Sequence, residues 1–355
     1  MNIVFSTTRQ WNPGDEFILL GCMRALRLAG LDFNPVIFNR NPQVRRTRRI
    51  NRWLQALDRG LAGGRLAPFL DNSLKDDTDF RCVDMVVFAG SPEWRGRRLE
   101  PLYRRIAEHG TPTLFLGLGT NRPFDFSSAH FSETEMAVLR AARLVTCRDT
   151  TTTAALAPVG ARHVTCPALL CCDEDAEAPR RAVRRVGLIY GTDRASAHNR
   201  VAPATARYLQ ALYEQLLARH GGQIEFELVA HYIDELPLAQ QDWAGRLPVR
   251  YHYDAIAYRG LYGRYDAVVG HRIHGVGMSA SQGIPGVCVA HDKRGETARG
   301  FLAEMVTPEA GVDAALQAFD RVVAEVAERG QRLMVHKREV EATYVAALRE
   351  ALALG

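Results

Sequence analysis

The sequence predicts an α/β protein made of two doubly wound, Rossmann-like parallel-sheet domains facing a cleft. Three observations carry this. Short apolar runs alternate with longer helical patterns in two successive rounds, as βαβ units require. The 355 residues exceed what one ordinary hydrophobic core organises. Between the two rounds lies Asp173–Arg185, a charged stretch containing Pro179, which reads as a linker. The expected division is 1–175, 176–330 and a last helix, 331–355, packing back toward the first domain.

Composition narrows the class. With 47% apolar and 24% charged residues the chain reads as soluble and globular. No run approaches the roughly 18 apolar residues of a membrane span. Met1–Ser6 lacks the charged and apolar regions of a signal peptide and reads as a first buried strand. A cytoplasmic protein is therefore expected. Seven cysteines, an odd number mostly in apolar runs, suit reduced core thiols. Cys166, Cys171 and Cys172 in CPALLCC match no zinc spacing, so no metal is expected. A net charge of +5 favours acidic substrates or a membrane surface over nucleic acid, for which no motif is present.

In chain order, strand Asn2–Phe5 leads through the loop Ser6–Gly14 into a helix from about Asp15 to Leu28. Asp15 is placed to cap that helix, and its free N–H groups, with Asn12 and Gly14, suit an anion. Phe33–Phe38 is a second strand. The arginines from Arg40 through Arg45 to Arg52 then read either as a solvated helix face or as contact with substrate phosphates or anionic lipid. Strand Val83–Phe88 exits through Ala89–Trp94. Helix Pro101–His109 and strand Thr113–Gly117 follow, the latter leaving through a glycine-rich GLGTN segment bearing Gly119 and Asn121; it is not GxGxxG. Ser132 and Glu135 have capping-box spacing at the start of a helix to Ala142. Strand Leu144–Cys147 ends at Arg148-Asp149, where the arginine reads either as a carboxylate clamp or as part of a local Arg–Asp network. His163–Cys166 closes the first round.

The second round runs through strand Val186–Tyr190, helix Pro203–His220, strand Ile224–Ala230, strand Val249–Tyr251 and a helix around Asp254–Tyr262. Its centre is Tyr265–Gly300. Strand Ala267–Val269 closes at Gly270, and His271, Arg272 and His274 stand where a helix of small residues begins, Gly275 among them. After strand Val287–Ala290 comes His291-Asp292-Lys293-Arg294 on the same edge. Titratable and cationic side chains thus gather at strand carboxyl ends, where open α/β sheets bind ligands, beside a helix N-terminus that favours anions. A helix from Pro308 to about Ala327, capped by Thr307, and another at Leu333–Leu354 complete the chain.

These residues resemble the polysaccharide pyruvyl transferases. The similarity runs from NPGDEFILLGCMRAL (Asn12–Leu26) through FLDNSL (Phe69–Leu74), TCRDTTTTAAL (Thr146–Leu156) and TCPAL (Thr165–Leu169). It is most specific in GHRIHGVGMSASQGIP (Gly270–Pro285) and HDKR (His291–Arg294). The family often carries a glycine run after its third strand; here Ala89-Gly90-Ser91-Pro92-Glu93-Trp94 stands instead, on the side expected to shape the acceptor.

The resemblance implies a GT-B-like arrangement and transfer of a pyruvyl group from phosphoenolpyruvate to hydroxyls of a sugar, nucleotide-sugar or lipid-linked glycan, forming a ketal and releasing phosphate. Phosphoenolpyruvate is a substrate, so no cofactor is expected. His274 is the candidate acid, Arg272 and Lys293 supply charge, and Arg148 approaches from the first domain. Asp15 or Asp292 acts as base toward the acceptor or orients it. His271, Arg294, Gly275 and the loop residues Asn12, Gly14, Gly119 and Asn121 complete the candidate binding set. A role in bacterial envelope polysaccharide synthesis follows, at the inner face of the membrane if Arg45–Arg52 meets anionic lipid. Two other readings remain: a GT-B glycosyltransferase using a nucleotide sugar, in which Glu296 would grip the ribose, or an inactive homologue that binds a glycan or anion.

Overall fold

The computed structural model describes residues 1–8, 13–40, 53, 56–57, 79–96, 98–120, 122–173, 182–196, 200–292 and 295–354. The stretch Arg45–Arg52, FLDNSL, the middle of the expected linker, and Asn12, Asn121, Lys293 and Arg294 lie outside these residues.

Two parallel six-stranded sheets form the molecule. The first comprises β1 (Asn2–Thr7), β2 (Asn34–Asn39), β3 (Met85–Ser91), β4 (Thr113–Leu118), β5 (Leu144–Cys147) and β6 (Arg162–His163), in spatial order 2-1-3-4-5-6. The second comprises β7 (Arg185–Ile189), β8 (Glu225–Val229), β9 (Val249–Arg250), β10 (Ala267–Gly270), β11 (Gly286–Val289) and β12 (Glu304–Val306). Its order, 9-8-7-10-11-12, is the doubly wound Rossmann order. The order of strand addition reverses between β1 and β3 in one sheet and between β7 and β10 in the other. The central strands are buried on both faces, which explains why their sequences are continuous apolar runs and do not alternate.

Helices cover the sheets. They are α1 (Pro13–Leu28), α2 (Glu100–His109), α3 (Glu133–Arg140), α4 (Thr150–Ala155), α5 (Pro203–His220), α6 (Glu235–Trp243), α7 (Ala255–Tyr262), α8 (Ile273–Ala280), α9 (Glu296–Arg299), α10 (Val312–Ala324) and α11 (Val326–Leu352). The core has three parts. One backs the outer face of the first sheet around Phe88, Trp94, Tyr103 and Phe115, and one backs the second around Leu212, Tyr213, Phe226 and Phe319. The third is shared: Phe17 of α1 meets His231 edge-on at 6.2 Å and Tyr258 of α7 at 5.8 Å, within a cluster reaching Met278 and Tyr344. Burying apolar surface there fixes the two sheets against each other.

The chain crosses back through α11. Its Tyr344 hydroxyl donates to Thr165 O at 2.9 Å, and Glu341 accepts from Arg24 of α1 at 2.7 Å. Lys337, fully buried, donates to Cys172 O at 2.9 Å and to Ser281 O at 3.0 Å. Among the described residues, no helix is long and apolar enough to cross a membrane.

Several local expectations are corrected. Asp15 does not cap α1, because that helix already begins at Pro13 and Asp15 sits inside its first turn. The expected helix from Pro308 is a short 3-10 turn, Pro308–Ala310, and Thr307 makes no side-chain cap. Gly311, at φ 81° and ψ 165°, breaks the path before α10 begins. The expected strand His163–Cys166 is instead the two-residue strand Arg162–His163, and a 3-10 turn follows at Pro167–Leu170. The capping box of Ser132 and Glu135 is present, at 3.1 and 2.8 Å.

Candidate active site

The switch points of both sheets open on one cleft of about 70 Å³ between them. From the first sheet, Gly14, Asp15, Pro92 and Arg148 line it. From the second come His231 and Tyr232 after β8, His271, Arg272 and His274 after β10, and His291 after β11.

On the first side the exit of β3 is strained. Gly90 has φ 44° and Ser91, a non-glycine residue, φ 73°. A Cβ on Gly90 would lie 2.6 Å from Ile18 Cγ2, so only glycine lets the strand approach α1. The guanidinium of Arg40 holds this bend, donating to Gly90 O at 2.8 Å and to Ser6 Oγ and O at 2.9 and 2.6 Å. Arg40 is buried, which lowers its pKa to about 10. Burial pushes the carboxyl of Asp15 up to about 6; Arg40 and Arg148 pull it down and Glu93 adds to the rise.

Arg148 leaves β5 and lies flat against Gly119, where a Cβ would stand 2.6 Å from its Nε. This is why the GLGTN segment has glycine there. Its Nη1 reaches across the cleft to His274 Nε2 at 2.8 Å. The neighbouring Asp149 directs its oxygens elsewhere: it caps α4 through Thr152 N at 2.7 Å and accepts from Thr120 N at 3.3 Å.

On the second side Arg272 occupies the N-cap position of α8. It donates through Nη2 to Glu235 Oε1 at 2.6 Å and lies 4.8 Å over the Tyr232 ring. Glu235 is fully buried, and its other oxygen accepts from His231 N at 2.9 Å and Tyr232 N at 3.2 Å. Burial raises its carboxyl pKa, against the pull of Arg272. His231 bonds Tyr262 through Nε2 at 2.6 Å, and burial, aided by Arg272, drives its pKa down to about 3, so it is neutral.

The remaining candidates occupy distinct places. His271 packs on Gly191, where a Cβ would come within 2.2 Å of its ring, and faces His291 at 5.5 Å. Asp292 lies 3.5 Å from His291 Nε2. Gly275 is in the floor, where a Cβ would sit 2.5 Å from Tyr262 Oη, and so brings α8 close beneath the cleft. Glu296 accepts from Thr150 N at 3.2 Å across the two halves. Glu235 and Arg40 escaped the sequence reading, as did His231 and Tyr232 as site residues. Glu235 opens α6, a short polar helix, ELPLAQQDW, whose only signal is an acidic first turn beside Pro237. Arg40 looked like the first of a surface arginine series.

Two Rossmann-like domains with a cationic cleft at paired switch points define a GT-B-like enzyme. The sequence matches the polysaccharide pyruvyl transferase model over residues 12–293, and the chain belongs to that family; it is a transferase. No curated protein matches the sequence. Among solved structures, S. aureus MnaA in complex with UDP is similar at TM-score 0.58 and 11% identity, covering 100% of this chain and 97% of that one. UDP-GlcNAc 2-epimerase from Neisseria meningitidis, bound to UDP-GlcNAc, aligns at 0.51 and 8%, over 98% and 99%. Anabaena Alr3699/HepE with UDP-glucose aligns at 0.50 and 13%, over 98% and 99%. At these identities the likeness is one of fold.

Proposed function

We propose that the protein transfers a pyruvyl group from phosphoenolpyruvate to two hydroxyls of a sugar, as a free, nucleotide-linked or lipid-linked glycan precursor. His274 protonates the methylene carbon, leaving an oxocarbenium-like centre at the adjoining carbon. One acceptor hydroxyl adds there, and the second displaces phosphate to close the ketal. Arg148, Arg272 and Lys293 hold the carboxylate and phosphate and stabilise developing charge. Asp15, on the opposite wall, takes the hydroxyl proton, a role suited to a carboxyl with a pKa of about 6.

The observation that carries this reading is the pairing of Arg148 with His274 at 2.8 Å, one from each half, beside Arg272. A cation and an imidazole converging in one small cleft suit a small multiply charged anion whose carbon must be protonated. A cleft of about 70 Å³ is far below the ~300 Å³ typical of larger ligands. Glu296, already engaged by Thr150, weighs against a ribose grip on a nucleotide-sugar donor.

The test is a thermal-shift titration with phosphoenolpyruvate and, separately, UDP- and GDP-sugars, followed by phosphate-release assays. Phosphoenolpyruvate should stabilise both wild type and His274→Ala, while the variant loses roughly 10²–10⁴-fold in turnover. Stabilisation by a nucleotide sugar alone would replace pyruvyl transfer with glycosyl transfer.

A further inference from the structure

We propose that Arg148 also sets the protonation state of the acid: it holds His274 with a lone pair on Nε2 until the donor anion draws the guanidinium away. The inference rests on the pyruvyl-transfer reading. A guanidinium carries only donors. At 2.8 Å from Nη1, His274 Nε2 must therefore accept, and an imidazole accepting there has no Nε2 proton to give. With this pair in place the acid is unarmed.

The cation is primed to leave. Arg148 is 5% exposed, its Nε has no hydrogen-bond partner, and its second Nη1 contact is the Cys166 thiol at 3.7 Å. Burial pushes that thiol's pKa up, so it stays neutral. A buried guanidinium matched with an imidazole and a thiol gains two short charge-assisted bonds when a carboxylate or phosphate arrives. The ligand's negative charge then faces the vacated Nε2 and favours the imidazolium.

The other charged groups around the pair are compatible with this. Arg272 is held by Glu235, and His231 is neutral. His271 and His291 line the same cleft, with Asp292 beside His291. Asp15 faces from α1, and Glu296 from α9 is engaged with Thr150. Lys293 and Arg294 follow in sequence. Proton balance closes: Nε2 takes one proton from solvent on donor binding and passes it to the methylene carbon. The acceptor hydroxyls release theirs to Asp15 and solvent.

The consequence is proton uptake coupled to donor binding. Calorimetric titration of the whole chain with phosphoenolpyruvate, at mildly alkaline pH where the ligand is fully ionised, in two buffers of different ionisation enthalpy, reads it directly. Wild type should take up close to one proton per donor, and His274→Gln should bind without uptake. Histidine ¹⁵N spectra of wild type provide a check that needs no variant: Nδ1-protonated His274 when free, imidazolium when phosphoenolpyruvate is bound. Binding with equal proton exchange in wild type and variant, or an unchanged His274 tautomer, would overturn the gating alone. No binding of phosphoenolpyruvate would overturn the pyruvyl-transfer reading and the gating with it.

Discussion

Replacing Glu235 by glutamine should cost far more than a one-atom change suggests. Each oxygen of the carboxylate is committed: one to Arg272 Nη2, the other to the N–H groups of His231 and Tyr232. An amide offers one acceptor and one donor group. Whichever way it turns, donor meets donor on one side, in a place with no exposure for Glu235 and 16% for the Arg272 side chain. The least loss is one charge-assisted hydrogen bond, about 1.5–3 kcal/mol. Taking the charged partner from a buried arginine raises it to as much as about 3–5 kcal/mol. Urea unfolding followed by tryptophan fluorescence suits the measurement, since Trp243 lies buried at the end of the same helix. The double change Glu235→Leu with Arg272→Met should recover most of the stability, because it removes both charges together. It should not recover donor binding. A Glu235→Gln protein within ~0.5 kcal/mol of wild type would refute the view that this carboxylate anchors the arginine.

Two other outcomes follow from the same physics. The folded-state pKa of Asp15, about 6, exceeds the ordinary carboxyl value of 3.8, so the associated stability is fully present below pH ~4 and lost as pH rises through 6. Two units correspond to about 3 kcal/mol, so Asp15→Asn should gain up to that much over wild type at pH 8 and converge with it below pH 4, read by denaturant midpoints. It should also abolish the rise in turnover with an inflection near pH 6 expected of a base. Of the seven cysteines, only Cys82 is exposed, so a thiol reagent should titrate one group in the native protein and seven after denaturation. The hydrogen bond with Cys171 draws the Cys172 pKa down, yet burial keeps its sulfur unreactive.

The sheets were legible because parallel strands buried on both faces leave unbroken apolar runs, and Met85–Ala89 or Ala267–Val269 allow few other readings. The His271–His274 segment was legible because a strand end followed by small residues fixes where side chains emerge. What escaped was set by tertiary contact. Glu235 acquires its role only when α6 folds against α8, and nothing local to ELPLAQQDW distinguishes it from a solvated turn. Arg40 reads as surface charge until β3 brings Gly90 O to it. Strand β12 is only three residues long and takes its order from pairing with β11. The helix break at Gly311 was visible as a residue, but not as a conformation.

The buried amine of Lys337 joins carbonyls from the end of the first half, Cys172, and from the end of α8, Ser281. The polypeptide passes between the halves twice, once after Cys172 and once through α11, and this one side chain ties both passages together. Its two bonds stand across both passages at once and add a polar tie to the apolar core shared by the two sheets. One buried cation thus serves as a rivet between the halves.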